Sequence, residues 1–241
     1  MELTPPKLCL IVPCYNEEKR LDADQFGKYP EITFILVNDG SKDGTLALLN
    51  SLKSQHVLVL NLEKNSGKAE AIRQGMLYAQ TLANFSEFDW LGFWDGDLST
   101  PIWEAPNFLK YLETYSNVQE IHSVWGSRVY RLGSKIIRTL KRHVIGRCFA
   151  VVSTYLLEVN TYDSQCGSKL FRREVVRKAF ERPFLSRWIF DLELLLRIGE
   201  EHVVEYPLRY WIDIGGSKMR IWAEFHRVWI DLLAIKREYH R

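Results

Sequence analysis

The sequence has few of the residues that staple or anchor small proteins. Its 241 residues include only 4 cysteines, Cys9, Cys14, Cys148 and Cys166. None stands in a paired C-x-x-C spacing, and the 6 histidines are scattered. A disulfide framework or a zinc centre is therefore not the organising device, and reduced core thiols in the cytosol are expected. Long apolar runs are missing too. The stretch Cys148–Leu157 is bounded by Arg147 and Glu158, well short of the roughly 20 residues a membrane-spanning helix needs. The first residues lack the basic lead and small-residue cleavage site of a secretory signal. Charge of one sign is not in excess: the formal net charge is +2, which argues against a general nucleic-acid binder. Glycine and proline, at 14 and 8, are ordinary in number and no repeat is visible, which excludes collagen-like and low-complexity chains.

What is present is material for one sizeable core, with 46% apolar and 13% aromatic residues. Short apolar runs read as strands at Leu8–Val12, Ile32–Asn38, Val57–Asn61 and Trp90–Trp94. They are continuous rather than alternating, as in strands buried on both faces. Helical spacing lies between them, over Asp43–Ser54 and Gly67–Ala83. Strand–helix alternation predicts a mostly parallel sheet covered by helices. Further on, Ser134–Val159, Arg187–Gly199 and Ser217–Tyr239 read as amphipathic helices. The first of these carries a stripe of Ile137, Leu140, Val144, Cys148, Val152 and Leu156. With no linker-like segment, one α/β domain is expected, its two halves meeting near residue 100.

In an open parallel sheet ligands bind at the carboxyl ends of the strands. Three of the expected strands end in polar signatures, VPCYNEE, NDGSKDG and WDGDLS. Asp-Gly pairs are common turn formers on their own; their recurrence at the same end of successive strands points to a site. In WDGDL, Asp95 and Asp97 flank Gly96. Two carboxylates so placed can share Mg²⁺ or Mn²⁺, with phosphate and water completing the shell. NDGSKDG imitates a calcium loop at Asp39, Ser41, Asp43 and Gly44, but Asn50 stands where a bidentate carboxylate is required, which excludes calcium. Asp39 is better placed to bond a base or ribose. NSGK, Asn65–Lys68, opens a helix and can hold a phosphate; an N-cap by Asn65 or Ser66 explains it equally well.

Between Ile121 and Leu157 there is no Asp or Glu, while Arg128, Arg131, Lys135, Arg138, Lys141, Arg142 and Arg147 are all present. A charge run is also the ordinary look of a solvated face. Beside a long apolar stripe, it equally suits a segment lying on an anionic membrane surface. Asp191 and Glu193 stand near a helix start, where acids are favoured for capping alone.

The order VPCYNEE, NDGSKDG, NSGKAEAIRQG, DGDLS, GSR, RTL, DSQCG, RW-FD-EL and GSK resembles the family 2 glycosyltransferases of the GT-A fold. Within them it is most similar to the dolichyl- or polyprenyl-phosphate β-glucosyltransferases. The resemblance spans about residues 8–218. It implies a Rossmann-like, mostly parallel sheet flanked by helices, and inverting transfer of a hexose, glucose first, from a UDP-sugar to a polyprenyl phosphate. Pro13, Tyr15, Glu17 and Asp39 would line the uridine pocket with Lys68 nearby. Asp95, Gly96 and Asp97 would hold the donor diphosphate through Mg²⁺ or Mn²⁺, and Arg128 and Arg138 the acceptor phosphate. Asp163, Gln165, Asp191 and Glu193 would border the sugar, fixing hydroxyls or polarising the nucleophile. The sequence departs at Ser168, where an aromatic usually follows the glycine of DSQCG. No spanning anchor being visible, peripheral contact with the cytoplasmic face of an anionic membrane is expected. The alternatives are a family 2 transferase acting on a glycan, lipid-linked oligosaccharide or polysaccharide, and a non-catalytic nucleotide-sugar-binding module.

Overall fold

A strand covered on both faces must be apolar throughout, and its first polar residues mark where it leaves the sheet. That rule accounts for the first half of the chain in the computed structural model, which describes residues 5–214 and 221–239. In chain order the strands are β1 (Leu8–Cys14), β2 (Ile32–Asp39), β3 (Val57–Leu62), β4 (Trp90–Trp94), β5 (Ser123–Ser127), β6 (Lys135–Ile137), β7 (Ser168–Arg172), β8 (Val203–Pro207) and β9 (Tyr210–Ile212). The helices are α1 (Asp24–Gly27), α2 (Thr45–Ser51), α3 (Lys68–Gln80), α4 (Ala105–Leu112), α5 (Leu140–Leu157), α6 (Arg173–Phe180), α7 (Phe190–Ile198) and α8 (Ile221–Tyr239).

The chain divides into two compact units. The first holds the described residues up to Leu98 together with Gly167–Pro183; the second holds Ser99–Cys166 and the described residues from Phe184 onward. The first unit thus includes β7 and α6 from later in the chain.

In the first unit the strand order is β3-β2-β1-β4-β7. The first four strands are parallel, and β7 is antiparallel to β4. β1, β2 and β4 are buried almost throughout, whereas edge strand β3 is half-exposed. Helix α3 packs on β1 and β2, and α6 on β4 and β7. The core includes Leu10, Ile11, Phe34, Phe93, Phe171 and Phe180, all fully buried. Phe171 stacks on Phe93 at 6.0 Å and meets Phe180 edge-on at 5.2 Å. Register pairs Cys14 with Asn38 and Ile11 with Phe93, so the parallel strands deliver their polar C-terminal loops to one edge. Ser168 sits opposite Trp94 on the β4–β7 ladder, so β4 supplies an aromatic at that rung.

In the second unit β5 pairs with β8 in parallel, β6 with β9, and α5 packs against α8. Glu104, fully buried, accepts hydrogen bonds from the Tyr206 hydroxyl (2.9 Å) and the N–H groups of Arg209 and Tyr210 (3.0 Å each), which fixes the β8–β9 turn.

Three expectations change. The segment from Ser134 does not begin as a helix: Lys135 N–H donates to Arg209 O and Asp213 N–H to Ile137 O, and these pairings with β9 override the helical period. Helix α2 starts at Thr45 because the Asp43 carboxylate captures the Thr45 N–H and hydroxyl. Finally, one cysteine is not in the core, because much of the α5 stripe is open. Leu140 is 77% and Val144 51% exposed, Cys148 is exposed, Val152 and Leu156 are half-buried, and Ala150, Ser153 and Leu157 are buried. Cys148 is thus not a core thiol, unlike Cys9, Cys14 and Cys166. Burial raises the pKa of Cys9 and Cys14 far above the usual thiol range. Gly215–Lys218, with the GSK motif, lies outside the described residues.

Candidate active site

On the carboxyl edge of the first unit, three loops are knitted to one another. Asn16, in the left-handed region at φ 52°, donates its N–H to Ser41 Oγ (3.0 Å) and accepts from the Lys42 N–H (2.8 Å). The Glu17 N–H donates to Thr45 Oγ1 (2.8 Å). These bonds hold Pro13, Tyr15 and Glu17, all half-buried, beside the β2 loop.

Asp39 also has a task within the unit itself. It is 3% exposed, and its oxygens accept the N–H groups of Ser66 (2.7 Å) and Gly67 (2.9 Å). A carboxylate from β2 thus closes the amino end of α3, and neither Asn65 nor Ser66, the caps weighed against a phosphate site, supplies a side-chain cap. Gly67 enters the helix at φ 93°, where a side chain would be strained. This places Lys68 at the first helical position.

Lys68 is ion-paired with Asp95. The Asp95 N–H donates to Gly167 O (3.0 Å), and a Cβ at Gly167 would fall 1.7 Å from Asp95 Oδ2 and 2.5 Å from Oδ1. The glycine of DSQCG is therefore the seat of the first aspartate of DGD. Gly96 brings the backbone close to Pro13 O, 3.0 Å from where a Cβ would stand. Asp97 lies 3.7 Å from Arg20 Nη2, and Arg20 Nε lies 3.5 Å from Glu17 Oε2. Leu98 closes the turn in the left-handed region (φ 52°), its N–H bonded to Asp95 O (3.0 Å).

A second group of expected residues meets within the second unit. Arg128 clamps Asp163 with Nε and Nη2 (2.6 Å each) and with its backbone N–H (3.0 Å), and it lies over the Trp211 ring at 5.2 Å. Asp163 N–H in turn donates to Glu205 Oε1 (2.8 Å), which also takes the Tyr162 N–H and the Thr161 hydroxyl. Arg138 and Arg128 line one cavity with Arg147, Tyr162, Asp163 and Gln165. Burial, then the neighbouring Arg128 charge, lowers the Arg138 pKa below its usual value. Gly146 on α5 gives that guanidinium room, since a Cβ there would lie 2.9 Å from Nη2. Arg147 sits over the Tyr162 ring at 4.0 Å and donates to Tyr162 O (2.9 Å). Gln165 Nε2 is buried without a hydrogen-bond partner among the described residues. The cavity is thus rich in donors and in positive charge, a combination suited to an anion with several acceptor oxygens.

Asp191 and Glu193 are elsewhere in that unit, in the first turn of α7 and buried. Glu193 does not border an open site. Only 1% exposed, it accepts Arg197 Nη2 (2.6 Å), the Tyr239 hydroxyl (3.0 Å) and the Leu185 N–H (2.9 Å). Its carboxylate joins α7, α8 and the chain before α7. Sequence reasoning passed over Arg20, Gly167, Arg147 and Glu205. Arg147 stood in the acid-free run, and Gly167 in a quoted motif; Arg20 and Glu205 carry no local signal.

Comparison with known proteins accords with this arrangement. Residues 9–180 match the model of Glycosyl transferase family 2. The chain is 34% identical to a dolichyl-phosphate beta-glucosyltransferase of Trichomonas vaginalis, over 93% of this chain and 69% of that one. It is 31% identical to the human dolichyl-phosphate beta-glucosyltransferase, over 97% and 76%. Among solved structures, it resembles the Mycobacterium tuberculosis glucosyl-3-phosphoglycerate synthase held with Mn²⁺, UDP-glucose and glycerol 3-phosphate (TM-score 0.66, 19% identity, 95% and 80% coverage). That likeness shows the GT-A fold. With parallel strands delivering an aspartate pair to one edge, and the family model spanning most of the chain, this protein belongs to glycosyl transferase family 2 and is a glycosyltransferase.

Proposed function

We propose that the chain transfers glucose from UDP-glucose to a polyprenyl phosphate of the dolichyl type, with inversion at the anomeric carbon and with a divalent cation at the donor. The observation that carries this reading is the cavity of Arg128, Arg138 and Arg147 with the buried amide of Gln165. A phosphate monoester would meet charge-assisted donors there. The names of the similar dolichyl-phosphate glucosyltransferases supply the acceptor class.

The donor side fits a hard cation. Asp95 and Asp97 offer carboxylate oxygens that are about one-third exposed, and Gly167 leaves room for the first of them. Among the described residues no third His, Cys, Asp or Glu joins them as a ligand cluster, which suits Mg²⁺ or Mn²⁺ completed by diphosphate and water. When bound, that cation neutralises charge on the departing diphosphate. The remaining work falls to the chain itself. Tyr15, Glu17 and Pro13 flank the nucleotide, and Asp39 holds the amino end of α3 that carries Lys68. Arg138 and Arg128 position the acceptor phosphate, and Asp163 keeps the Arg128 fork in place. The second ionisation of a phosphate monoester lies near about pH 6, so its oxygen is anionic at neutral pH and needs no strong base. That oxygen forms a bond to the anomeric carbon as the bond to the UDP oxygen breaks. In-line displacement turns an α-linked donor into a β-linked lipid phosphate. A hydroxyl acceptor would instead need a carboxylate base, and Glu193, one candidate, is committed to Arg197 and Tyr239.

The acceptor's lipid class also accounts for α5. No described helix is long and apolar enough to cross a membrane, yet Leu140, Val144, Cys148, Val151 and Tyr155 recur at steps of three or four and are all exposed. They stand within the acid-free basic run. We assign this face to the surface of an anionic membrane, on its cytoplasmic side. Incubation with a panel of UDP- and GDP-sugars and a short polyprenyl phosphate, read by mass spectrometry, tests the function. A hexosyl-phosphoprenol formed from UDP-glucose is expected; transfer only to glycans or water would refute it.

A further inference from the structure

Each aspartate of the pair already faces a cation of the chain's own. Lys68 Nζ lies against Asp95 Oδ1, and Arg20 Nη2 lies 3.7 Å from Asp97 Oδ2 while its Nε reaches Glu17. All four side chains are partly open, between 28% and 39% exposed, so each can change partner without disturbing the core. A divalent cation entering this pair alone would meet two positive groups already seated on its ligands. A diphosphate arriving alone would meet two cations held by carboxylates. Only the two together relieve both conflicts.

We propose that Lys68 and Arg20 are exchangeable counter-ions. They occupy the aspartates until donor and metal arrive together, and then turn to the diphosphate oxygens as the carboxylates take the metal. This inference rests on the reading of Asp95 and Asp97 as the metal pair, and it assigns Arg20 a role that no motif gave it. The consequence is a thermodynamic coupling. Mn²⁺ and UDP strengthen each other's binding by the same factor, because binding linkage is reciprocal. Lys68, in direct contact with Asp95, carries more of the coupling than Arg20, which is farther away and shared with Glu17.

The test is Mn²⁺ binding followed by the free-ion paramagnetic resonance signal, with and without UDP, in the full chain. UDP should tighten Mn²⁺ binding to the wild type. In Lys68→Gln, Mn²⁺ without nucleotide should bind about tenfold more tightly, a change of about 1.4 kcal/mol. UDP should bind that variant more weakly, so that the coupling shrinks. Arg20→Gln should move both quantities in the same directions by less, and it provides an independent substitution should one variant fold poorly. Asp97→Asn should lose Mn²⁺ binding in both conditions. Unchanged or weaker nucleotide-free Mn²⁺ affinity in both Lys68→Gln and Arg20→Gln, with binding lost in Asp97→Asn, overturns the exchange alone. Full Mn²⁺ binding by Asp97→Asn overturns the metal-pair reading, and this inference with it.

Discussion

A single methyl group at Gly167 tests whether two motifs far apart in the chain form one device. Alanine would put its Cβ 1.7 Å from Asp95 Oδ2 and 2.1 Å from Cγ. Ordinary van der Waals contact begins near 3.4 Å, so the carboxylate has to retreat by about 1.7 Å, or β7 has to shift. Carboxylate–Mg²⁺ distances are held to about 2.0–2.1 Å, and misplacement of a positioned group by about 1 Å costs on the order of 100-fold in rate. Gly167→Ala should therefore lower kcat/KM about 100-fold and weaken Mn²⁺-dependent UDP binding by calorimetry. The fold should survive, because overpacking of this size costs about 1–3 kcal/mol. For a chain of this length that lowers Tm by roughly 2–4 °C per kcal/mol. Gly27→Ala is the control: nothing lies within 4 Å of its Cβ position, and a stability change within about 0.5 kcal/mol is expected. Gly167→Ala with wild-type turnover and wild-type metal-dependent UDP affinity would refute the seating of Asp95 against that glycine.

Other outcomes follow from the second unit. Arg138→Ala should raise KM for the polyprenyl phosphate about 10- to 100-fold, the worth of a charge-assisted bond, with little change for UDP-glucose; the opposite pattern in steady-state kinetics would refute the acceptor assignment. Glu193→Gln leaves Arg197 buried beside a neutral partner and should cost about 3 kcal/mol in chemical denaturation; a fully stable but inactive variant would instead make Glu193 a catalytic group. Val144→Glu should reduce flotation with anionic liposomes, and wild-type flotation should weaken with salt; salt-insensitive flotation, or flotation unaffected by the substitution, would remove the membrane role of α5.

Strands β1, β2 and β4 were legible because a strand buried on both faces has to be written in unbroken apolar residues, and their ends are where polar residues resume. The DGD pair was legible for the same reason, as the first polar residues beyond β4. β6 was not, since three residues that pair with β9 carry no period of their own and sit in front of a helical pattern. For α5 the sequence left a solvated basic face and a membrane-surface segment equally open, and the face left exposed runs through Val151 and Tyr155 rather than Val152 and Leu156. Periodicity reports that residues share a side, and only packing against α8 decides which side is inward.

The sequence by itself determined the parallel α/β order, the placing of acids at strand ends and the family, because these rest on local pattern and short motifs. Tertiary structure alone decided that Gly167 seats Asp95, that Asp39 closes α3, that Asp163 holds Arg128 and that Glu193 is locked to Arg197 and Tyr239. All but the helical Glu193–Arg197 pair join residues distant along the chain. Charge and shape complementarity across such distances leaves no periodic trace, and becomes visible only when folding brings the partners together.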